Sequence, residues 1–379
     1  MGDSDSLWIL TINDDSNYGN RLQNFALQQV LSRYSTRVGT VRCLYQRDSM
    51  LITVMKNILR PIKHFLCDTY GKGAILKSRY DAFLYFNARY IHEVRLSSTS
   101  KKNLSHVLDS NSAFVIGSDQ VWNDRIIDDW VRNTSESQAL LKLRLGFFFP
   151  QGRIISYAAS FGIDQVKQES EPIFAKLLPR ISSISVREDR GVELIQELSG
   201  RKATVVLDPT LMLTTDQWRS IIPGDFVDDD EKYVLTYFLG KPSPEQDSII
   251  RQYAKEHGCK IRRMLDLDDP ATYAAGPREF VELFSKTQYV FTDSYHACCF
   301  SILFNKQFKV FNRAGFSGKT SMNSRMTTLF RLFDLDDSMG NDAKLDRVNY
   351  DHVNALLEQH REESRAWLEQ ALTKIGVIG

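Results

Sequence analysis

Cysteine is scarce in this chain. There are five in 379 residues, Cys43, Cys67, Cys259, Cys298 and Cys299, and none stands in a CxxC pair. That spacing excludes a zinc ribbon, and an odd, scattered set argues for reduced thiols in the cytoplasm rather than a disulfide framework. No uninterrupted apolar run is long enough to span a bilayer. The opening Met-Gly-Asp-Ser-Asp-Ser lacks the basic-then-apolar pattern of a secretion signal, so a cytoplasmic location is expected. Excess charge of one sign is also missing. Lys and Arg number 48 against 47 Asp and Glu, which gives no global pull toward nucleic acid. There is no GxGxxG, no Walker lysine motif and no metal-ligand set, so neither a nucleotide fingerprint nor a cofactor is expected. Repeats and low-complexity tracts are absent.

What remains is an ordinary globular composition, 42% hydrophobic and 25% charged, in a chain long enough for two domains. Strand-like runs at 7–12, 113–116, 154–158, 181–186 and 203–207 alternate with helical stripes, the signature of parallel βαβ units. A fresh start at 233–238 leads through the helix 244–257, the strand 260–264, the helix 277–285 and the strands 289–292 and 308–311. The acidic stretch 223–231 reads as a linker. Residues 350–375 carry one long amphipathic stripe. The expected organisation is two Rossmann-like domains, 1–222 and 232–345, facing each other across a cleft, with a C-terminal helical segment at 346–379. Such clefts hold small ligands.

Only seven histidines occur, and one stands at a strand-to-helix corner. After the apolar run 289–291, Thr292-Asp293-Ser294 reads as a loop whose Ser or Asp caps the next helix, placing His296 in its first turn. Open α/β sheets bind ligands at that edge, and histidine exchanges protons near neutrality. A buried histidine in an ordinary capped helix is the plain alternative. Other strand-end motifs are polar. Asn17 to Asn24 follows the first strand; Gly19 permits close backbone approach, and the helix start offers free N–H groups to an anion. Gly117-Ser118-Asp119-Gln120-Val121-Trp122-Asn123 is dense in hydrogen-bonding groups with an indole face, which suits a sugar, though it could equally be a buried turn. Arg187 ends a strand and offers a fork for carboxylate or phosphate, with a local salt bridge to Glu188 or Asp189 as the alternative. Asp208-Pro209-Thr210 reads as structural. Asn323-Ser324-Arg325 reads as a polar loop.

Taken together, seven segments resemble the polysaccharide pyruvyl transferase family in the family's order: NYGNRLQNFAL (17–27), FVIGSDQVWN (114–123), ISYAASFG (155–162), ISVREDRG (184–191), LDPT (207–210), GPREF (276–280) and TDSYHACCFSILFNK (292–306). The resemblance implies a GT-B-like fold, phosphoenolpyruvate as donor, and a sugar acceptor, free or lipid-linked, in a surface-polysaccharide pathway. It implies His296 as general acid, with Asp119 acting on an acceptor hydroxyl. Arg187, Arg325, Ser294, Asn17 and Gly19 would hold the donor. Asn20, Gln23, Ser118, Gln120 and Trp122 would hold the acceptor. Where the better-studied branch has Arg-Leu-His, this chain has Ser294-Tyr295-His296. Either Arg325, Lys306 or Arg313 then takes over the anion, or the donor differs. A GT-B glycosyltransferase using a sugar nucleotide and a non-catalytic subunit of a polysaccharide assembly complex are the other readings. Finally, apolar residues at 51, 55, 58, 62 and 65 beside Lys56, Arg60, Lys63 and His64 form an amphipathic basic stretch, continued by Lys72, Lys77 and Arg79. It is either a helix packed on the core or a peripheral contact with an anionic membrane.

Overall fold

The computed structural model describes residues 5–43, 72–96, 104, 107–109, 111–130, 134–228, 230–312, 322–335, 340, 344–345 and 347–379. Seven parallel strands form the first sheet: β1 (Ser6–Leu10), β2 (Arg37–Cys43), β3 (Glu93–Leu96), β4 (Ser112–Ile116), β5 (Ile154–Ala159), β6 (Ser183–Val186) and β7 (Thr204–Val205), in the order β3-β2-β1-β4-β5-β6-β7. Four more form a second parallel sheet: β8 (Tyr233–Tyr237), β9 (Lys260–Met264), β10 (Tyr289–Thr292) and β11 (Gln307–Val310), in the order β11-β10-β8-β9. Their apolar runs are buried on both faces because helices cover both sides of a parallel sheet. The helices that matter below are α1 (Tyr18–Leu31), α2 (Gly73–Tyr90), α3 (Asp189–Ser199), α4 (Pro209–Met212), α5 (Pro277–Lys286), α6 (Tyr295–Leu303), α7 (Met322–Phe333) and α8 (Tyr350–Lys374).

The protein is therefore an α/β protein with two Rossmann-like sheets facing a cleft, the GT-B arrangement, completed by a long C-terminal helix. That helix returns to the first sheet. Arg361 on α8 donates to the carbonyls of Leu211 and Leu213, 2.6 Å each, and the Leu207 N–H donates to Ser364 at 3.0 Å. Behind the cleft the two halves share one apolar core. Trp218 packs between Phe25 of α1, at a tilt, and Phe300 of α6, edge to face, with centroids 5.6 and 4.9 Å away. The Tyr18 hydroxyl donates across to the Ala275 carbonyl at 2.6 Å.

Four segments differ from expectation for physical reasons. Strands β2 and β3 were not anticipated, because Gly39 interrupts the first and charged Glu93 and Arg95 dominate the second. Glu93 is nonetheless at home there, since Arg21 and Arg42 meet it at 3.1 and 3.4 Å. The acidic linker is stitched down rather than loose. Glu282 on α5 accepts from the backbone N–H of Gly224 and Val227 at 3.0 and 3.1 Å, and Val227 is buried. Arg325 lies in the first turn of α7, not in a loop.

The basic stretch 51–65 lies outside the described residues. Of its continuation, Lys77 pairs with Asp81, while Arg79 turns inward, its guanidinium 5.0 Å from the Tyr18 ring. Among the described residues no helix is long and apolar enough to cross a membrane.

Candidate functional site

Each polar motif that ends a strand arrives at one place. In the first sheet the order reverses between β1 and β4, so the loops after them part and leave a crevice at the carboxyl edge. In the second sheet the same happens between β8 and β10. The cleft between these two switch points is lined by Asn17 and Gly19 after β1, Asp119 and Gln120 after β4, Tyr237 and Leu239 at β8, Asp293 to His296 after β10, and Arg325 from α7.

At its floor lies a chain of buried charges. Arg187, at the end of β6, donates from Nη1 to Asp208 Oδ2 at 2.6 Å and from Nη2 to Asp119 Oδ1 at 3.1 Å. Its side chain is 0% exposed; both terminal nitrogens are engaged by these two carboxylates, while its Nε has no partner. Neither Glu188 nor Asp189 is its partner. Glu188 instead accepts from the Ser160 hydroxyl and the N–H groups of Phe161 and Gly162, and Asp189 pairs with Arg331. His296 places Nε2 3.8 Å from Asp208 Oδ2, too far for a hydrogen bond, and that buried nitrogen has no partner. The ring of Tyr295 floors both guanidinium groups, with Arg187 4.3 Å and Arg325 5.9 Å from its centroid. Arg325 is buried, and its Nε has no partner.

The electrostatics follow from this packing. Burial pushes Asp119 up, but Arg187, His296 and Arg325 outweigh it and bring its carboxyl down to about 2. Asp208 is likewise held below the ordinary range, by Arg187 and His296 against burial. Burial lowers His296 below its usual value, Asp208 and Asp119 oppose this, and the two arginines reinforce it. A value below the usual one leaves the imidazole largely neutral at pH 7. Burial and Arg187 also lower Arg325.

Ser294 occupies the N-cap position of α6 with extended backbone, yet its hydroxyl makes no capping bond. The first N–H groups of α6 are consequently not capped by that side chain and face the cleft end of the helix. Gly19 serves sterically. A Cβ there would collide with the Nδ1 edge of the His296 ring, 2.6 Å from Cγ. Gly19→Ala must displace the imidazole, and a displacement near 1 Å typically costs about 100-fold in turnover. Steady-state assays alongside thermal melts should show turnover lost with the fold kept. Unchanged turnover would mean that the ring position is not critical.

Several expected ligand contacts are corrected. Trp122 is fully buried, packed at a tilt against Phe161, and its Nε1–H donates to the Arg144 carbonyl, so no indole face is open to a sugar. Ser118 is fully buried, its hydroxyl 2.9 Å from the Ala158 carbonyl and 3.4 Å from Asp208. Gln23 is buried between Thr11 and the Ser118 N–H. Asn20 is buried too, and supports Asp119 from 3.5 Å. These three build the floor rather than line the cleft. Asn17 lines it while its side chain accepts from the Asn20 N–H, and Gln120 lines it while accepting from Asn123. Lys306 precedes β11 at the opposite, amino edge of the second sheet, and Arg313 lies outside the described residues. Asp208, read as structural, does cap α4 through Thr210, but its other oxygen sits at the centre of the cluster. The signal was present. LDPT follows a strand of the first sheet, as the other site motifs do. Asp293, expected as a possible cap of α6, instead anchors the β8 loop, its carboxylate accepting from the N–H of Leu239 at 2.7 Å.

Solved structures similar to this chain include Anabaena HepE in complex with UDP and glucose, at 10% identity and TM-score 0.43, covering 97% of this chain and 99% of that one. UDP-GlcNAc 2-epimerase from Methanocaldococcus jannaschii gives 9% and 0.43, with 93% and 92% covered. Escherichia coli ADP-heptose LPS heptosyltransferase II gives 11% and 0.36, with 94% and 99% covered. No protein of curated function matches the chain. The family model for polysaccharide pyruvyl transferase matches residues 17–314, a span that holds Gly19, Asp119, Arg187, Asp208 and His296 and stops short of Arg325. The chain belongs to the polysaccharide pyruvyl transferase family.

Proposed function

We propose that the protein transfers pyruvate from phosphoenolpyruvate to two hydroxyls of a sugar in a surface polysaccharide or its precursor, forming a ketal. The observation that carries this reading is the buried His296, its unpartnered Nε2 opposite Asp208 and its Nδ1 beside Gly19, set among Asp119, Arg187 and Arg325 at the meeting point of both switch points. The donor is an enol ester carrying a carboxylate and a phosphate. Arg325, with its unpartnered Nε, and the uncapped start of α6 supply positive potential for those anions, and so stand in for the arginine that Ser294 replaces. Arg187 is occupied by carboxylates and acts by holding them in place.

In the reaction His296 gives a proton to the methylene carbon of the donor, and positive charge develops at C2. A sugar hydroxyl adds there while Asp119 takes its proton. The C2–O bond to phosphate breaks, and the second hydroxyl closes the ketal. Of the two hydroxyl protons, one replaces the proton now in the methyl group and the other leaves on phosphate. No electrons are gained or lost, so no redox group is called for. The neutral resting state of His296 fits this scheme. An incoming carboxylate and phosphate raise the imidazole pKa and charge it as the donor binds.

Arg325→Met tests the donor contact. Loss of a charge-assisted hydrogen bond costs about 1.5–3 kcal/mol, so the apparent donor KM should rise about 10-fold or more, with a smaller change in kcat. The assay follows phosphate release from phosphoenolpyruvate with candidate glycans. An unaltered donor KM in the folded variant removes Arg325 from the donor site. Turnover of a sugar nucleotide in place of phosphoenolpyruvate would replace this reading by glycosyl transfer.

A further inference from the structure

Asp208 does three things at once. Its Oδ1 caps α4, accepting from the Thr210 N–H and hydroxyl at 2.9 and 2.8 Å. Its Oδ2 is pinned by Arg187 at 2.6 Å, with the Ser118 hydroxyl 3.4 Å away. That same Oδ2 is the atom 3.8 Å from His296 Nε2. A carboxylate held from two sides, with a full charge and no freedom to swing away, faces a ring nitrogen that has no other partner. The gap is about 1 Å longer than a charge-assisted hydrogen bond. A cap alone needs neither the charge nor the second oxygen's position.

We propose that Asp208 is a positioning residue for His296, receiving the Nε2–H of the imidazolium that forms when the anionic donor binds. The proposal rests on the reading of His296 as the acid and adds what makes that acid available. Among the described residues, the other charged or titratable groups around His296 are Asp119 after β4, Arg187 at the end of β6, Arg325 on α7, Tyr295 beside it on α6, and Asp293, which lines the same cleft before α6; α1 brings Gly19 against the ring. Asp119, Asp208 and Glu188 lie with Arg187 and Arg325 around or beside the neutral His296, and the donor's anionic groups add further negative charge. Proton uptake by the imidazole offsets it: Asp208 receives Nε2–H and fixes the ring plane, leaving Nδ1–H, on the Gly19 side of the ring, as the proton given to the donor.

The test is calorimetric titration of the whole protein with phosphoenolpyruvate, across pH and in buffers of different ionisation enthalpy. This counts protons taken up on binding and needs no acceptor. His296→Gln gives the donor's own contribution, and the difference from wild type belongs to His296. In Asp208→Asn the amide oxygen still caps α4, but the charge opposite Nε2 is gone. An opposite charge at this range shifts a pKa by about one unit or more, so the midpoint of uptake should fall by at least about one pH unit, a tenfold loss of proton affinity in the complex. Asp208→Glu keeps the charge and should recover most of that shift. An unmoved midpoint in folded Asp208→Asn overturns the proposal and leaves Asp208 as a cap. Equal uptake by wild type and His296→Gln, or absence of binding, overturns the underlying reading of His296 instead, and the proposal with it. Should Asp208→Asn fail to fold, nitrogen-15 histidine spectra of wild type with phosphoenolpyruvate decide. A doubly protonated ring with a downfield Nε2 proton supports the proposal, and a neutral ring contradicts it.

Discussion

His296→Gln should lower turnover at least about 100-fold while leaving the fold intact, the usual scale for removing a general acid. Glutamine fills a similar volume, keeps a polar tip facing Asp208, and makes no new demand on Gly19. Helix α6 does not depend on the ring either, because its other residues are buried in the shared core. Thermal melts of the variant should therefore stay close to wild type. The loss should appear in kcat more than in donor KM, since Arg325 and the start of α6 remain. Near-normal turnover in a folded His296→Gln protein removes the histidine from the chemistry.

The second large effect is on stability. Arg187→Met leaves two buried carboxylates facing each other without their cation. Breaking a buried pair in this way costs about 3–5 kcal/mol, and here one guanidinium serves two anions. Urea denaturation should show a clear fall in midpoint, and activity should vanish because Asp119 and Asp208 lose their alignment. Arg187→Lys keeps the charge, but its single ammonium cannot reproduce a fork reaching Asp208 at 2.6 Å and Asp119 at 3.1 Å. It should be less destabilised than Arg187→Met and still poorly active.

The pH dependence distinguishes this mechanism from simple loss of packing. The Asp119 carboxyl is depressed from about 4 when unfolded to about 2 when folded. Its contribution to stability is therefore complete above about pH 4 and drains away as the pH falls toward 2. Without the guanidinium, burial instead raises both carboxyls, and protonation relieves them. The deficit of Arg187→Met relative to wild type should accordingly shrink on acidification. A deficit that is constant across pH points to packing alone.

Much of the frame was legible in residues. The runs at 113–116, 154–158 and 289–292 are apolar because both of their faces lie under helices, and a continuous apolar run is hard to misread. The long helix 350–374 declared itself by its stripe. Strands β2 and β3 were hidden because their charges find partners through tertiary contacts, Glu93 with Arg21 and Arg42, which local sequence does not display. The same limit shaped the site. His296, Gly19 and Asp119 were legible as strand-end residues of functional type, and they do meet at the cleft. What could not be read was commitment: whether a polar side chain faces the cleft or is already spent inside. Trp122 has the chemistry of a sugar platform and a place in the core. Arg187 has the fork of an anion clamp, and its partners are the protein's own carboxylates, 21 and 68 residues away in sequence. The proline after Asp208 accounts for the turn by itself, and nothing in the local sequence shows where the second carboxylate oxygen goes.

The central claim is that the protein protonates the methylene carbon of phosphoenolpyruvate and joins C2 to a sugar. One measurement addresses it directly. The protein is incubated with phosphoenolpyruvate and candidate glycans in deuterium oxide, and the product is read by mass spectrometry and proton NMR. Phosphate release should be matched by a pyruvate ketal on the sugar whose methyl group carries one deuterium from solvent. Phosphate release with unmodified sugar, or a sugar product that gained no deuterated methyl, would contradict it.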